Sequence, residues 1–391
     1  MNRIKAGNMA SVAIAAMMAV CSAAWAQDGK PVVKIAFIAP LTGPNAPGGI
    51  GGKNSFALAL KQHNQSPGAK YHYVGEFLDD QCKAEPAVQA ALKAGSDPSV
   101  ISAIANYCSI STVAALPVYH KQHLPATIWA STLPSLTYGQ DYVEITRVNG
   151  NQKGQNELAA KFDADVLKVK TVACLYTTDA YGKGMFEYYS EAAKKNGLKL
   201  VYTAGVRPGQ MSFTAQFAHI ASMNPDVVWY GGQVSTGVAI RNQMASSGVK
   251  AIFQGTSGLL APEYIVATGK NAEGTLSFTS TPVIDELPDG PKFLKAYTAA
   301  GYKEAPQAYG PFAYAAAMLQ MRAIDAVGPD RAKVAEYLHG DTKDVPSLVG
   351  PITFDSHGQN VNVKYTSYVV QDGKYVSWKK SEYATGSRKL P

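Results

Sequence analysis

Short apolar runs separated by amphipathic segments recur along most of this chain, and that alternation constrains its fold more than any single motif does. Val32 to Ala39, Tyr71 to Leu78, Val100 to Ala105 and Ala126 to Trp129 read as strands, with helical stretches at Lys53 to Asn64 and Glu85 to Ala94. This is the rhythm of crossover units on parallel sheets. After Val143 to Arg147 it starts again. Leu158, Phe162 and Val166 mark a helix before a strand at Thr171 to Tyr176, and Met185, Tyr189 and Ala192 mark the next, before Leu198 to Gly205. Phe213, Phe217 and Ile220 lead to Asp226 to Tyr230; Ile240 and Met244 lead to Ala251 to Phe253, and Thr275 to Thr279 ends the series. Two such series predict two doubly wound α/β lobes. The tail departs from the rhythm, with helices at Phe293 to Ala300, Phe312 to Val327 and Ala332 to Leu338, then β-like runs at Pro351 to Phe354, Val361 to Val370 and Tyr375 to Trp378. Asp372-Gly373 and Gly358 are turn signals. Late segments of this kind return to complete both lobes, and repeated crossings make the linkers a hinge.

One turn stands out. Ala105 to Thr112 follows an apolar run and opens a helix-like segment in which Ile110, Val113, Ala114 and Pro117 share a face. Pro117 predicts a kink or a break there. Ser109 and Ser111 place hydroxyls and free N–H groups at a positive helix end, which suits a carboxylate or phosphate; simple helix capping accounts for the same residues.

The N-terminus carries Arg3 and Lys5, an apolar stretch from Met9 to Val20, and Ala24-Trp25-Ala26. That is the grammar of a secretory signal peptide, residues 1–26, cleaved after Ala26. Bulky Val20 before Cys21 argues against a lipid anchor. Of the 36 basic residues, removal of Arg3 and Lys5 leaves 34 against 29 acidic ones, or +5 where the whole chain is +7. These charges are scattered, which speaks against a nucleic-acid partner. Roughly 365 residues exceed what one core serves, so two lobes are again expected. Export implies an oxidising compartment; Cys82 and Cys108 lie in turn-like settings and are expected to pair, while Cys174, inside an apolar run, reads as a buried thiol.

Catalytic patterns are largely missing. Gly48-Gly-Ile-Gly-Gly-Lys-Asn-Ser55 approaches a phosphate loop but has Pro47 and Asn54 where that pattern needs Gly and Ser or Thr, so a flexible glycine loop beside a cleft is the better reading. No G-x-S-x-G elbow occurs; Gly255-Thr-Ser-Gly258 has the wrong spacing. His120 and His123 lack a third ligand nearby, and Asp79-Asp80 reads as a solvated turn before it reads as a metal or base site. No enzyme, cofactor or metal is expected.

Several stretches together resemble the periplasmic solute-binding proteins of bacterial ABC transporters, of the leucine/isoleucine/valine-binding type. They are Ile35-Ala-Phe-Ile-Ala-Pro-Leu-Thr-Gly-Pro44, Asp79-Asp-Gln-Cys82 with Tyr107-Cys-Ser109, Trp129-Ala-Ser-Thr132, Asp179-Ala-Tyr-Gly-Lys-Gly184 and Asp226-Val-Val-Trp-Tyr-Gly-Gly232. The resemblance covers essentially the whole exported chain. It implies a type I periplasmic binding protein fold: two α/β lobes, a cleft between them and a three-crossing hinge. On that scheme residues 27–148 plus 281–355 form the first lobe and 149–280 plus 356–391 the second. It further implies a periplasmic monomer that captures a small carboxylate-bearing solute by lobe closure and presents it to a membrane permease, although a sensing role fits the same fold.

For the site, the resemblance implies a carboxylate set of Ser109, Ala130 and Thr132, with Ser131 adjacent. Neutral donors at a helix N-terminus stabilise an anion without a buried cation. Tyr181 keeps the family's position on the other lobe, but Gln233 stands where an aromatic is usual. Ser257 stands where the family places the acid that pairs with a ligand ammonium, and no acid occurs in Phe253 to Leu259. A desolvated ammonium without a carboxylate costs several kcal/mol. The expected ligand is therefore a carboxylate without an α-ammonium, such as an aromatic, aliphatic or oxo acid, packed on Tyr107, Trp129 and Tyr181. Asp179 is the acid placed to restore amino-acid binding.

Overall fold

The structure, a computed structural model, describes residues 29–281 and 283–390; the expected export signal, Cys21 and the cleavage after Ala26 lie outside the described residues. Five strands, β1 (Val32–Ala39), β2 (His72–Asp79), β3 (Val100–Ala105), β4 (Ala126–Ile128) and β5 (Ile145–Arg147), form one parallel sheet in the order β2-β1-β3-β4-β5. Seven more form a second sheet. These are β6 (Thr171–Thr177), β7 (Lys199–Val206), β8 (Val227–Gly231), β9 (Ile252–Thr256), β10 (Leu276–Thr279), β11 (Thr366–Gln371) and β12 (Lys374–Ser377), ordered β12-β11-β10-β9-β8-β6-β7. The antiparallel pairings are β10 with β11 and β11 with β12, and the turn joining β11 to β12 holds Asp372 and Gly373 at φ 52° and 71°, the geometry the Asp-Gly pair favours.

Helices cover both faces of each sheet. Two apolar clusters flank the first sheet and two flank the second, so each lobe is a three-layer α/β/α sandwich. β3 is buried at every position, the mark of a strand covered on both faces. After β10 the chain returns to the first lobe. Phe312, Ile324, Val334, Val345 and Ile352 join the cluster formed by Phe37, Phe56 and Trp129, and Phe293 packs with Leu58. β11 and β12 then complete the second sheet.

Four expectations are corrected. The glycine stretch after β1 is not a flexible loop: one helix runs from Ala46 to Asn64, with Pro47 in its first turn. Glycines cost a helix roughly 1 kcal/mol each, but close packing requires them here. A Cβ on Gly49 would stand 1.9 Å from the Pro40 carbonyl oxygen, and one on Gly52 would stand 2.2 Å from the Trp129 ring. The helix Ser109–Lys121 is likewise continuous through Pro117. Pro117 leaves the Val113 carbonyl without its donor, and both residues lie on the exposed face, where water replaces the lost bond. The buried face is the opposite of the apolar one: Ile110 and Val113 are exposed, while Ser111, Thr112, Ala115, Leu116 and Tyr119 point inward. Finally, the run Pro351 to Phe354 makes isolated bridges and no strand.

Candidate ligand-binding cleft

Both sheets share one winding. In the first, the strand order reverses between β1 and β3; in the second, the same reversal falls between β6 and β8. In open parallel sheets ligands bind at such switch points, outside the carboxyl ends of the strands. The two crevices face each other, because residues following β3, β4, β6, β8 and β9 line a single cavity: Tyr107, Ala130 to Thr132, Tyr181, Gln233 and Ser257. That brings together seven of the eight residues expected from the sequence. Ser109 lines the adjoining space, which Tyr181 and Gln233 also border. The inner cavity is about 20 Å³, room for one water, and the adjoining one is about 360 Å³.

The turn after β3 is built from the inside. Asp80 is fully buried; it accepts from Asn106 Nδ2 at 2.8 Å and from the Cys82 amide at 2.9 Å, while Asn106 Oδ1 accepts from Tyr119 at 2.9 Å. Burial pushes the Asp80 carboxyl up to about 6 despite these donors. Cys82 and Cys108 are joined, with their Cα atoms 5.4 Å apart. Gln81 and Cys82 both hold positive φ, 51° and 57°, a conformation that the bridge and the Asp80 carboxylate hold in place. Asp79 accepts from the Leu41 amide, the Thr42 hydroxyl and the Gln81 amide. These bonds outweigh its partial burial and lower its pKa. The acid pair therefore braces the loops after β1 and β2.

Ser109, the first residue of its helix, is 2% exposed, and its hydroxyl has no hydrogen-bond partner. The hydroxyl of Thr132, 1% exposed, has none either. Buried hydroxyls are mostly satisfied, so two orphans at one cleft make it a candidate place for a ligand's acceptor; Ser102, Thr268, Ser277 and Thr342 are orphaned outside it. The carbonyls around Thr132 are already engaged: Asn149 Nδ2 donates to Ala130 and Ser131, and the Gln152 amide donates to Thr132 at 2.8 Å. The Ala130 and Thr132 amides find no acceptor among the described residues. Ser131 differs from its neighbours. Its hydroxyl pairs with Thr112 Oγ1 and the carbonyls of Asn106 and Tyr107, tying the two loops together.

On the second lobe Tyr181 is buried, its hydroxyl 3.0 Å from Thr256 Oγ1 and 3.2 Å from Ser257 Oγ, and its carbonyl accepts from Gln152 Nε2 at 3.0 Å. Gln152 thus bonds to both halves of the site. Gln233 precedes the helix Val234–Ser247 and leaves its side-chain amide uncommitted among the described residues. Asp179 caps the helix Ala180–Lys195, accepting from the Gly182 amide at 2.8 Å and from Thr177 Oγ1 at 3.0 Å. Trp129 does not line the cavity; it is fully buried behind Tyr107, ring centroids 5.4 Å apart.

The sequence reading missed Tyr309, Glu263 and Gln307. Tyr309 lines the inner cavity with an unpartnered buried hydroxyl, and Glu263 and Gln307 line the outer part of the cleft. Glu263 lies four residues beyond the segment in which an acid was sought. A wider window would have found it; no local signal marks Gln307 or Tyr309.

The histidine pair is accounted for. His120 and His123 both pair through Nδ1 with Glu144, at 2.9 and 3.2 Å, and no metal-binding cluster occurs among the described residues.

Known proteins share this architecture. The pattern of the periplasmic binding protein family matches residues 32–374. A Leu/Ile/Val-binding protein homologue from Brucella melitensis is 30% identical over 375 residues, 94% of this chain and 98% of that protein. The crystal structure of a leucine-binding protein from Thermotoga maritima superposes with a TM-score of 0.82 at 25% identity, covering 88% of this chain and 97% of that one. A solute-binding protein from R. palustris, solved in complex with benzoate, has the same fold at 17% identity, TM-score 0.79, with coverage of 88% and 95%. The chain belongs to the periplasmic binding protein family, as a substrate-binding protein of the branched-chain amino acid type of ABC transporter, and is not an enzyme.

Proposed function

We propose that this protein is the periplasmic capture component of an ABC importer and that its solute is a carboxylate without an α-ammonium. The observation that carries this is the asymmetry of the cleft. On one side stand two orphaned buried hydroxyls, Ser109 at a helix N-terminus and Thr132, with the free Ala130 and Thr132 amides; no basic side chain lines the inner cavity, and Lys83 borders the adjoining space beside Ser109. On the other, Tyr181 meets the neutral hydroxyls of Thr256 and Ser257. The first side suits an anion. The second lines the inner cavity with no acid to neutralise an ammonium, since Glu263 stands in the outer part of the cleft.

Residues 27–148 with 281–355, and 149–280 with 356–391, act as the two lobes. Open lobes admit the solute, and contacts from Tyr181, Gln233 and Ser257 made only on closure shift the population to the closed form. The closed monomer then delivers its cargo to a membrane permease. The benzoate-bound relative shows that the fold accommodates an aromatic acid, while the leucine-binding relative favours amino-acid carriage as a second reading.

A thermal-shift screen separates the two. Amino acids are compared with their deaminated analogues and with aromatic acids; a ligand at 100 times its Kd adds about 2.7 kcal/mol of stability. Stabilisation by leucine or valine, with none by the acids, would overturn the proposal.

A further inference from the structure

The cleft does not end at Ser257. Beyond the inner cavity lies an outer compartment of about 50 Å³, which shares Tyr107, Gln233, Ser257 and Gly258 with it. Its added polar groups include Asn45, Glu263 and Gln307. Glu263 belongs to the segment after β9, on the second lobe. Gln307 belongs to the stretch that returns to the first lobe, where its side chain packs over Gly51. The two meet across the cleft, with Gln307 Nε2 donating to Glu263 Oε1 at 3.0 Å and to Glu304 Oε1 at 2.8 Å.

Glu263 is half-buried, and no lysine or arginine pairs with it among the described residues. One of its oxygens receives Gln307; the other has no donor among the described residues. Its charge reaches inward as well, because Tyr107, whose hydroxyl burial pushes up, feels Glu263 in addition. A flat solute lying on Tyr107, with its carboxylate among the Ser109 and Thr132 donors, would extend through the shared lining into the compartment that Glu263 borders. A carboxylate there asks for a donor and repels a second anion.

We propose that the solute carries a hydrogen-bond donor, a hydroxyl or an amine, at the end opposite its carboxylate, and that Glu263, held by Gln307 of the other lobe, receives it. This rests on the carboxylate reading above. Because Glu263 and Gln307 come from different lobes, the contact is completed only as the cleft closes.

The test is a set of dissociation constants for the exported protein and for Glu263→Gln. Benzoate is compared with para-hydroxybenzoate, para-aminobenzoate and terephthalate, and hexanoate with its ω-hydroxy analogue. A hydrogen bond to a charged acceptor gives at least about tenfold, so the wild type prefers a donor-bearing acid over its unsubstituted parent by that factor and binds terephthalate more weakly than benzoate. Glu263→Gln collapses the preference to about threefold or less and improves terephthalate relative to benzoate. The hydroxyl and amine arms show which donor is read. Equal binding of parent and donor-bearing acids by the wild type, or an equal loss for all acids in the variant, overturns the inference and leaves the carboxylate reading standing. Binding of leucine with none of the acids overturns both.

Discussion

Ser109, in the expected carboxylate set, and Ser131, beside it, are chemically alike and structurally opposite, which makes them the sharpest test of the site. Ser109 Oγ is buried without a partner, so Ser109→Ala removes no internal bond and relieves an unsatisfied polar group. The ligand-free variant is expected to match or slightly exceed the wild type in stability. Binding is where it loses. A hydroxyl that donates to a carboxylate contributes about 1.5–3 kcal/mol, so affinity for the solute falls about tenfold to a hundredfold. Ser131→Ala should behave in reverse. Its hydroxyl joins Thr112 to the Asn106 and Tyr107 carbonyls, and their loss inside a fully buried turn destabilises the ligand-free protein by about 1–3 kcal/mol. Urea denaturation of both ligand-free variants, with calorimetric titration of any solute found by thermal shift, reads the two quantities separately. If Ser109→Ala destabilises as much as Ser131→Ala while affinity stays within about twofold of wild type, Ser109 is a structural cap and the anion site lies elsewhere.

Three further outcomes follow from the same geometry. Cys82→Ser opens a 26-residue loop and should cost about 3.5 kcal/mol in the chain-entropy picture, read as a lower denaturation midpoint that reductant reproduces in the wild type. Asp163 is fully buried beside Gln254 and Cys174 and accepts from the Tyr189 hydroxyl at 2.5 Å; burial pushes it up to about 7, above its unfolded value of about 3.9. The folded protein therefore holds a proton there that the unfolded chain releases, so this group lowers stability as pH rises from about 4 to about 7. Asp163→Asn should gain stability over wild type at pH 8 and show little difference near pH 4, and equal offsets at both would refute it. Gln152→Ala cuts the side-chain bond to the Tyr181 carbonyl and keeps the backbone bond to Thr132, so ligand affinity should fall about tenfold in calorimetry with the Thr132 clamp intact.

Strands were the most legible part of this sequence, and the physics says why. A strand covered on both faces is predominantly apolar, so Val100–Ala105 and Val32–Ala39 could be bounded to the residue despite Ser102 and Lys34. Helices were less legible wherever tertiary contact overrides propensity. Nothing local predicts a helix through Gly48 to Gly52; only the approach of Pro40 and Trp129 shows what those glycines do. In Ser109–Lys121 the hydrophobic pattern pointed the wrong way, because Ser111 and Thr112 turn inward beside the buried Asp80, Asn106 and Ser131 hydrogen bonds. Site residues carried by strand-end motifs were readable for the same reason as the strands. Glu263, Gln307 and Tyr309 were not, since two of them reach the cleft only after the chain has crossed back to its first lobe.

That crossing also ties the proposed carboxylate site to the linkers between the lobes. Asn149, at the first crossing, holds the Ala130 and Ser131 carbonyls, and its own carbonyl accepts from Gln359 at the last. Gln359 in turn accepts from the buried Arg147, whose guanidinium also donates to the Leu133 carbonyl and the Thr137 hydroxyl. A charge sealed among uncharged acceptors tolerates little displacement, because each bond it loses leaves a desolvated donor. The proposed anion clamp is thus bonded to a rigid set of linkers and faces a lobe joined to it through Gln152 and the Glu263–Gln307 contact. Within this arrangement, motion is cheapest where bonds cross the cleft and costly where they cross the hinge, so on the proposed reading solute contacts would bias closure without deforming the loops after β3 and β4.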